Sequence, residues 1–199
     1  QIVKLDAKGA FDTTFDSDGI ATLSSPSSTL LSITAKDGGA IAVGARQGSA
    51  IRFTARSGNA LIANIDSTSA AYSIVSSGGS TFIGGHANLL LKMWKYGTND
   101  ILDTTFGDLS TAANPVEGIA VGAKADANGN IVFALDTTLN ASANEKSLIV
   151  GRARSFGGLD PLFGSGGLSK TSVPTADKVH AKAIAAHGED GTNRSHVAS

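Results

Sequence analysis

The chain has 199 residues, of which 41% are hydrophobic, and its formal net charge is -1. This length is enough for one domain with a real hydrophobic core, and the balanced, scattered charge excludes a basic surface of the kind that binds nucleic acid or an anionic membrane. The absence of cysteine excludes disulfides, thiolate catalysis and cysteine-ligated zinc.

The first segment already looks like part of a sheet. The chain starts on "QIVKLDA", which we interpret as a strand, continues through the loop "FDTTFDSDG" and reaches a second short strand, "IATLS". We expect the chain to be a mature or excised segment, from which an export signal could have been removed. No apolar run approaches the roughly 18–20 residues that span a bilayer, so we expect no membrane insertion.

Three stretches that follow share one pattern, and the chain ends on the first half of a fourth. Each begins with two apolar runs around a turn rich in Gly, Asp and Asn, which supply the positive φ angles that hairpins need. A third apolar run, a loop and a short fourth run come next. The predicted units are residues 28–67, 70–112 and 116–172, and a fourth that combines 1–24 with 176–199.

Four antiparallel strands repeated at this period predict a β-propeller. The predicted fold class is all-β: a small propeller of four four-stranded antiparallel blades in a single domain, 1–199, with one blade closed by both termini. In that blade "QIVKLDA" pairs with the C-terminal "RSHVAS", which removes a free sheet edge. A fragment of a larger ring and a ring shared by two chains stay open as alternatives. Read alone, "TADKVHAKAIAAHG" would pass as a helix.

One phrase occurs three times, as "FDTTFDSDG", "LDTTFGD" and "LDPLFGSGG". In each copy a cation precedes the Asp by eight residues and a Phe follows it by three. The residues are, copy by copy, Lys4, Asp12 and Phe15; Lys95, Asp103 and Phe106; and Arg152, Asp160 and Phe163. The gap between the first two copies is too long for one unit, so we place a degenerate copy at Ala60, with Arg52 eight residues before it.

We interpret this phrase as scaffold rather than as a ligand site. An Asp followed by two small polar residues accepts backbone N–H groups and forms a turn. The cation is expected to neutralise the Asp, and the Phe is expected to turn inward and fill the space between blades.

The phrase and its preceding hairpin resemble the delta-60 repeat of bacterial secreted and surface β-propeller proteins, whose usual form is close to "DGKIVVAG … RLNADGSLDTTFGxGG". The resemblance is good over residues 1–24, 88–110 and 146–170 and poor over 46–67. It implies a propeller-like fold and a secreted or cell-surface location. It implies no catalytic residue.

Two groups of residues are candidates for metal binding, and for both we favour an ordinary role at the surface. Asp16 and Asp18, before Gly19, match part of a calcium-binding loop, but Thr14 stands where the first Asp is required and no Glu follows at the needed distance. The histidines His180, His187 and His196 lack metal-site spacing. We therefore predict no metal and no cofactor.

The segment "KMWKYGTND" carries the candidate ligand-binding residues. Trp94 and Tyr96 lie two apart, hence on one strand face, and Lys95 lies on the other. Exposed aromatic rings stack on sugars or anchor protein partners. The alternative is that Trp94 packs between blades.

The sequence lacks a nucleophile elbow, a Walker A loop and a dinucleotide-binding motif. It favours a non-enzymatic recognition or adhesion module outside the cytoplasm, a monomer or part of a larger surface protein, with a protein or glycan on a cell surface as its partner. A lectin-like carbohydrate binder is one alternative. A hydrolase with a site at the mouth of the channel is another.

Overall fold

The computed structural model describes residues 2–21, 29–35, 41–46, 50–55, 58–64, 69–99, 101–137, 147–173, 179–187 and 194–198. These residues form strands, turns and loops with no helix, so the predicted all-β class is confirmed. Within these ranges, accordingly, no helix is long and apolar enough to cross a membrane. The stretch that resembled a helix contains a strand instead, and residues 175–178 and 188 of it lie outside the described residues.

The described residues contain fifteen strands, and every pairing between these strands is antiparallel. Their bounds are β1 Ile2–Val3, β2 Ile20–Ala21, β3 Thr29–Ala35, β4 Ile41–Arg46, β5 Ala50–Ala55, β6 Gly58–Asn64, β7 Ser69–Ser77, β8 Ser80–Ala87, β9 Leu90–Tyr96, β10 Ile119–Ala125, β11 Ile131–Asp136, β12 Ser147–Ala153, β13 Leu168–Ser172, β14 Ala183–His187 and β15 Arg194–Ala198.

The strands form sheets of consecutive members. β3–β6 and β10–β13 are four-stranded, and they fall in the predicted units 28–67 and 116–172. The unit 70–112 holds a three-stranded sheet, β7–β9, instead of the expected four strands. Its missing member is the fourth strand, which the other two units place on the outer edge.

The predicted pairing of the two chain ends is not formed by the described residues. β1 pairs with β2, and β15 pairs with β14, in two separate two-stranded sheets. One edge of the N-terminal segment is already occupied, because the N–H of Lys4 donates to Gly19, its carbonyl accepts the N–H of Asp12, and Leu5 forms a bridge with Phe11. That edge is therefore not available to the C-terminal strand.

The degenerate copy at Ala60 is also corrected by the structure. Ala60 lies inside β6 and pairs with Phe53, while Arg52 pairs with Leu61. Without the Asp there is no side chain to hold a turn at this position, and the strand runs straight on. Among its described residues the unit 28–67 therefore has the expected sheet but lacks the loop.

Successive sheets stack in chain order through their first strands. β3 and β4 contact β7, β7 and β8 contact β10, and β10 and β11 contact β14. Each of the first strands β3, β7 and β10 carries a bulge against its hairpin partner, after Leu30, Ala71 and Ala120. A bulge bends the strand and increases its twist. The same distortion therefore occurs in each of the strands through which neighbouring sheets approach each other.

Small residues directly after these bulges join one sheet to the next. The Ser32 hydroxyl oxygen accepts a hydrogen bond from the Ile74 N–H at 3.2 Å, and the Ser73 hydroxyl donates to the Ala120 carbonyl at 3.1 Å. At the third position Gly122 has no side chain, and a Cβ there would lie 2.9 Å from the nitrogen of Ile184. These contacts fix the spacing of the sheets.

The main hydrophobic core lies between β7–β9 and β10–β13. Phe133 at its centre is fully buried, and Phe82, Leu91 and Met93 contribute from the opposite sheet. Burying aromatic and aliphatic side chains of this size is worth roughly 1.5–3 kcal/mol each, so this contact is a principal source of stability for the two sheets.

Candidate functional site

The three copies of the loop share one ion pair. Lys4 Nζ lies 2.7 Å from Asp12 Oδ2, Lys95 Nζ lies 3.2 Å from Asp103 Oδ2, and Arg152 Nη2 lies 2.6 Å from Asp160 Oδ2. The backbone N–H of each Asp donates to the carbonyl of the same cation's residue at 2.8–2.9 Å. The cation predicted from the eight-residue spacing therefore neutralises the Asp in every copy.

The other oxygen of each carboxylate accepts hydrogen bonds from the turn that follows. Asp12 Oδ1 accepts the N–H of Thr14 at 3.0 Å and its hydroxyl at 2.5 Å, and Thr105 bonds Asp103 in the same way. The Lys4 ammonium and the Thr14 hydroxyl together lower the pKa of Asp12 to about 2. The Thr105 hydroxyl and Lys95 likewise lower the pKa of Asp103, which keeps that carboxylate ionised.

The Phe of each copy turns back toward the sheet, as the scaffold interpretation requires. Phe15 is only 4% exposed, with Lys4 Nζ 6.0 Å from the centre of its ring. Arg152 lies 4.9 Å from the ring of Phe163. Phe106 packs edge-on against Phe82 of the core, with the ring centres 5.8 Å apart. Each ring thus anchors its loop against apolar or cationic neighbours.

A glycine seven residues after the Asp returns the chain to the sheet in the first and third copies. Gly19 and Gly167 have φ angles of 82° and 95°. Their carbonyls accept the N–H of Lys4 at 2.9 Å and of Arg152 at 3.0 Å, and β2 and β13 begin at once. A Cβ at Gly167 would lie 2.5 Å from the Cβ of Leu159, so only glycine fits this crossing.

The second copy has Ser110 at the glycine position, and its chain does not return there. Ser110 is not among the described residues with positive φ, and its hydroxyl instead accepts the N–H of Val116 at 2.8 Å. The chain meets β9 again only near the start of that strand, through the bridge between Leu90 and Glu117. This is the physical reason why the sheet β7–β9 has no full fourth strand.

A cavity of about 500 Å³ occupies the position of the missing strand. Its volume falls within the range of small-ligand sites. Two ion pairs cross its lining, Lys92 with Asp108 and Lys95 with Asp103. The lining residues are Lys92, Met93, Trp94 and Lys95 of β9 together with Leu102, Asp103, Thr104, Thr105, Phe106, Gly107 and Asp108.

The structure places two of the three predicted ligand-binding residues in this cavity and excludes the third. Trp94, which is half-buried, and Lys95 line it. Tyr96 is 1% exposed, and burial raises its pKa to about 12. The expectation that Tyr96 presents an exposed ring is wrong: its side chain is buried, and its backbone is flanked by Thr81 on one side and by Leu102 on the other.

The residues considered for metal binding hold other positions. Asp18 accepts the N–H of Ile20 at 2.8 Å, and Asp16 has a φ angle of 48°, so both belong to the turn that precedes β2. His180 Nδ1 lies 3.5 Å from Asp136 Oδ2. His187 and His196 lie on the paired strands β14 and β15, opposite Arg194 and Ala185. No cluster of three metal-ligating side chains occurs in the parts of the chain that the structure describes.

Sequence reasoning missed Lys92, Met93 and Asp108 as lining residues. The available signal was Ser110, which departs from the glycine shared by the other two copies.

Comparison of the chain with known protein families, with curated proteins and with solved structures finds no match.

Proposed function

We propose that the chain is a non-enzymatic recognition module that uses the cavity beside β9 to bind its partner outside the cytoplasm. The observation that carries this proposal is the place of the cavity, where the second loop copy fails to return as a strand. The repeated ion-paired loops then serve as scaffold, and the one copy that departs from the pattern serves as the binding site.

The proposed scaffold is a propeller of four blades, with the β14–β15 and β1–β2 sheets in the fourth. The stacking of successive sheets through their bulged first strands supports this arrangement. The form of these two sheets supports it too, because β14 and β15 pair like the first two strands of the other units, and β1 and β2 flank a copy of the loop as β12 and β13 do. The secreted or cell-surface location rests on the resemblance to delta-60 repeats.

The charges in the cavity favour binding over catalysis. Asp103 and Asp108 are each paired with a lysine, and the pKa of Asp103 is lowered by Thr105 and Lys95. A carboxyl group that acts as a general acid near neutral pH needs a pKa raised toward neutrality. The described lining residues also include no His, Ser or Cys that could act as a base or a nucleophile.

A glycan ligand is the second candidate, because the half-buried Trp94 lies at the cavity together with the polar residue Thr104. An indole face can stack on a sugar ring. A glycan would take its binding energy from the Trp94 side chain, so we expect its affinity to fall when that ring is removed.

The test is a screen of the purified chain against a glycan array and a displayed peptide library. Hits are measured again with Trp94→Ala and with Phe156→Ala, an exposed aromatic that does not line the cavity. We expect hits that weaken with Trp94→Ala and persist with Phe156→Ala. Hits indifferent to both variants would contradict the cavity as the site, and turnover of a bound ligand would contradict a non-enzymatic role.

A further inference from the structure

The outer edge of β9 offers backbone groups for a further strand. The N–H of Leu91 donates outward to Val116 and the carbonyl of Lys95 accepts outward from Asp103. Along an antiparallel strand the backbone groups of every second residue face the same edge. The N–H and C=O of Met93 and the N–H of Lys95 therefore also point toward the outer edge of β9. These three groups have no hydrogen-bond partner among the described residues.

We call the position beside Lys92–Trp94, where a fourth strand would pair with β9, the slot. The third copy shows how the equivalent slot beside β12 is filled when the fourth strand is present. There the N–H of Arg152, equivalent to Lys95, donates to Gly167 at 3.0 Å. The next residues pair with Gly151, Val150 and Ile149, which correspond to Trp94, Met93 and Lys92. The segment that fills the slot is Leu168–Lys170.

In the second copy no described residue pairs with this three-residue slot, and backbone bonds close both of its ends. Asp103 bonds Lys95 at one end, and Val116 bonds Leu91 at the other. Three residues of extended chain span about 10 Å. The cavity is lined on its β9 side by Lys92–Lys95, so it coincides with the slot.

We infer that this slot binds a short extended peptide from a partner, which pairs backbone to backbone with Lys92–Trp94 and completes the sheet as its fourth strand. The inference rests on the proposed function and specifies its ligand. Strand addition takes its affinity from main-chain hydrogen bonds and its specificity from alternate side chains.

The first and third copies indicate which peptide fits. In both, the residue after the glycine is aliphatic: Ile20 opposite Val3 and Leu168 opposite Gly151. Leu168 packs against the main core. Lys92 in the slot and Lys95 at its end are already neutralised by Asp108 and Asp103. The preferred peptide is thus uncharged at its centre and carries glycine followed by an aliphatic residue.

The experiment uses the acetylated and amidated tetrapeptide "GLSK", which has the sequence of residues 167–170. It is titrated into the full chain, and backbone amide signals and amide hydrogen exchange are followed by NMR. We expect saturable binding with slowed exchange at Met93 and Lys95. Arg152, the equivalent site already bonded in the third copy, is expected to stay unchanged.

The matched control is the same peptide N-methylated at its serine, which removes the donor opposite Met93 and leaves every side chain intact. Losing one such bond is worth about 1–3 kcal/mol, so we expect affinity to fall about tenfold or more. Equal affinity for both peptides, or no saturable binding of either, would overturn the inference.

Two further outcomes separate this inference from the proposed function. If the tetrapeptide fails while glycans bind in a Trp94-dependent manner, the recognition role stands and the peptide assignment falls. If exchange at Met93 and Lys95 slows as protein concentration rises without peptide, a second copy fills the slot, and the assignment to a separate partner falls.

Discussion

Arg152 holds the carboxylate of Asp160 through two nitrogens, with Nε at 2.7 Å and Nη2 at 2.6 Å from Oδ2. The same eight-residue pair in the second copy is a single contact from Lys95 to Asp103 at 3.2 Å. The Asp160 side chain is also less exposed than that of Asp103, at 10% against 27%. A planar guanidinium fixes geometry more strongly than a lysine ammonium, so the third loop is held more firmly than the second.

This difference predicts unequal costs for the same substitution. Asp160→Asn leaves a partly buried guanidinium without its counter-charge, and we expect a larger drop in thermal midpoint than for Asp103→Asn. Differential scanning calorimetry of the two variants beside the wild type measures both. A drop for Asp103→Asn that equals or exceeds the drop for Asp160→Asn would contradict this ranking.

The loop phenylalanines stabilise the fold by burial. Phe15 is 4% exposed, so Phe15→Ala should lower the free energy of unfolding by about 3–5 kcal/mol. The matched control is Phe156→Ala, at a ring that is 65% exposed, and there we expect a change within about 0.5 kcal/mol. Urea unfolding gives both values. A loss under about 1 kcal/mol for Phe15→Ala would mean that the ring does not anchor the loop.

Substitution of Gly167, where the chain returns to the sheet, is predicted to lower the free energy of unfolding for two separate reasons. Gly167 combines a φ of 95° with the close approach of Leu159, whereas Gly166 has a φ of 62° and nothing near the position of a Cβ. Gly166→Ala should therefore cost only backbone strain of about 1 kcal/mol, and Gly167→Ala should cost about 1–3 kcal/mol more. Equal unfolding free energies for the two variants would refute the steric part of this account.

The lowered pKa of Asp12 predicts how stability depends on pH. Its value of about 2 lies below the ordinary 3.8, so the unfolded chain takes up the proton first as the pH falls. The stability that Asp12 contributes is complete above roughly pH 4 and is lost as the pH falls toward about 2. The difference in thermal midpoint between the wild type and Asp12→Asn should thus shrink over that window. A difference that stays constant would show that the ion pair with Lys4 does not carry it.

The all-β class and the ion-paired loops could be predicted because their signals are local. Apolar and polar residues alternate within the few residues of a strand. The sequence separation between Lys4 and Asp12 is the same as that between Arg152 and Asp160. Turn chemistry and charge pairing at fixed spacing leave few other arrangements, so the pairing followed from the repeat itself.

Other features depend on contacts that no local pattern encodes. The alternation of β9 put Trp94 and Tyr96 on one face, but which end of that face is covered depends on Leu102 and Thr81. The pairing of the chain ends was predicted from the phase of the repeat, which gives no information on how short β1 is. The open edge followed from one residue, Ser110, whose effect is visible only beside Gly19 and Gly167.

The open edge of β9 is the central claim, and native-state amide hydrogen exchange tests it most directly. The measurement compares Lys95 with Arg152, which hold the same position in two copies of the loop. The Arg152 N–H donates to Gly167 at 3.0 Å, and the Lys95 N–H has no described partner. A hydrogen-bonded strand amide exchanges only through opening of the structure. We therefore predict strong protection at Arg152 and much faster exchange at Lys95 in the unliganded chain. Equal protection at the two amides would mean that β9 already has a fourth strand, which would contradict both the site and its proposed ligand.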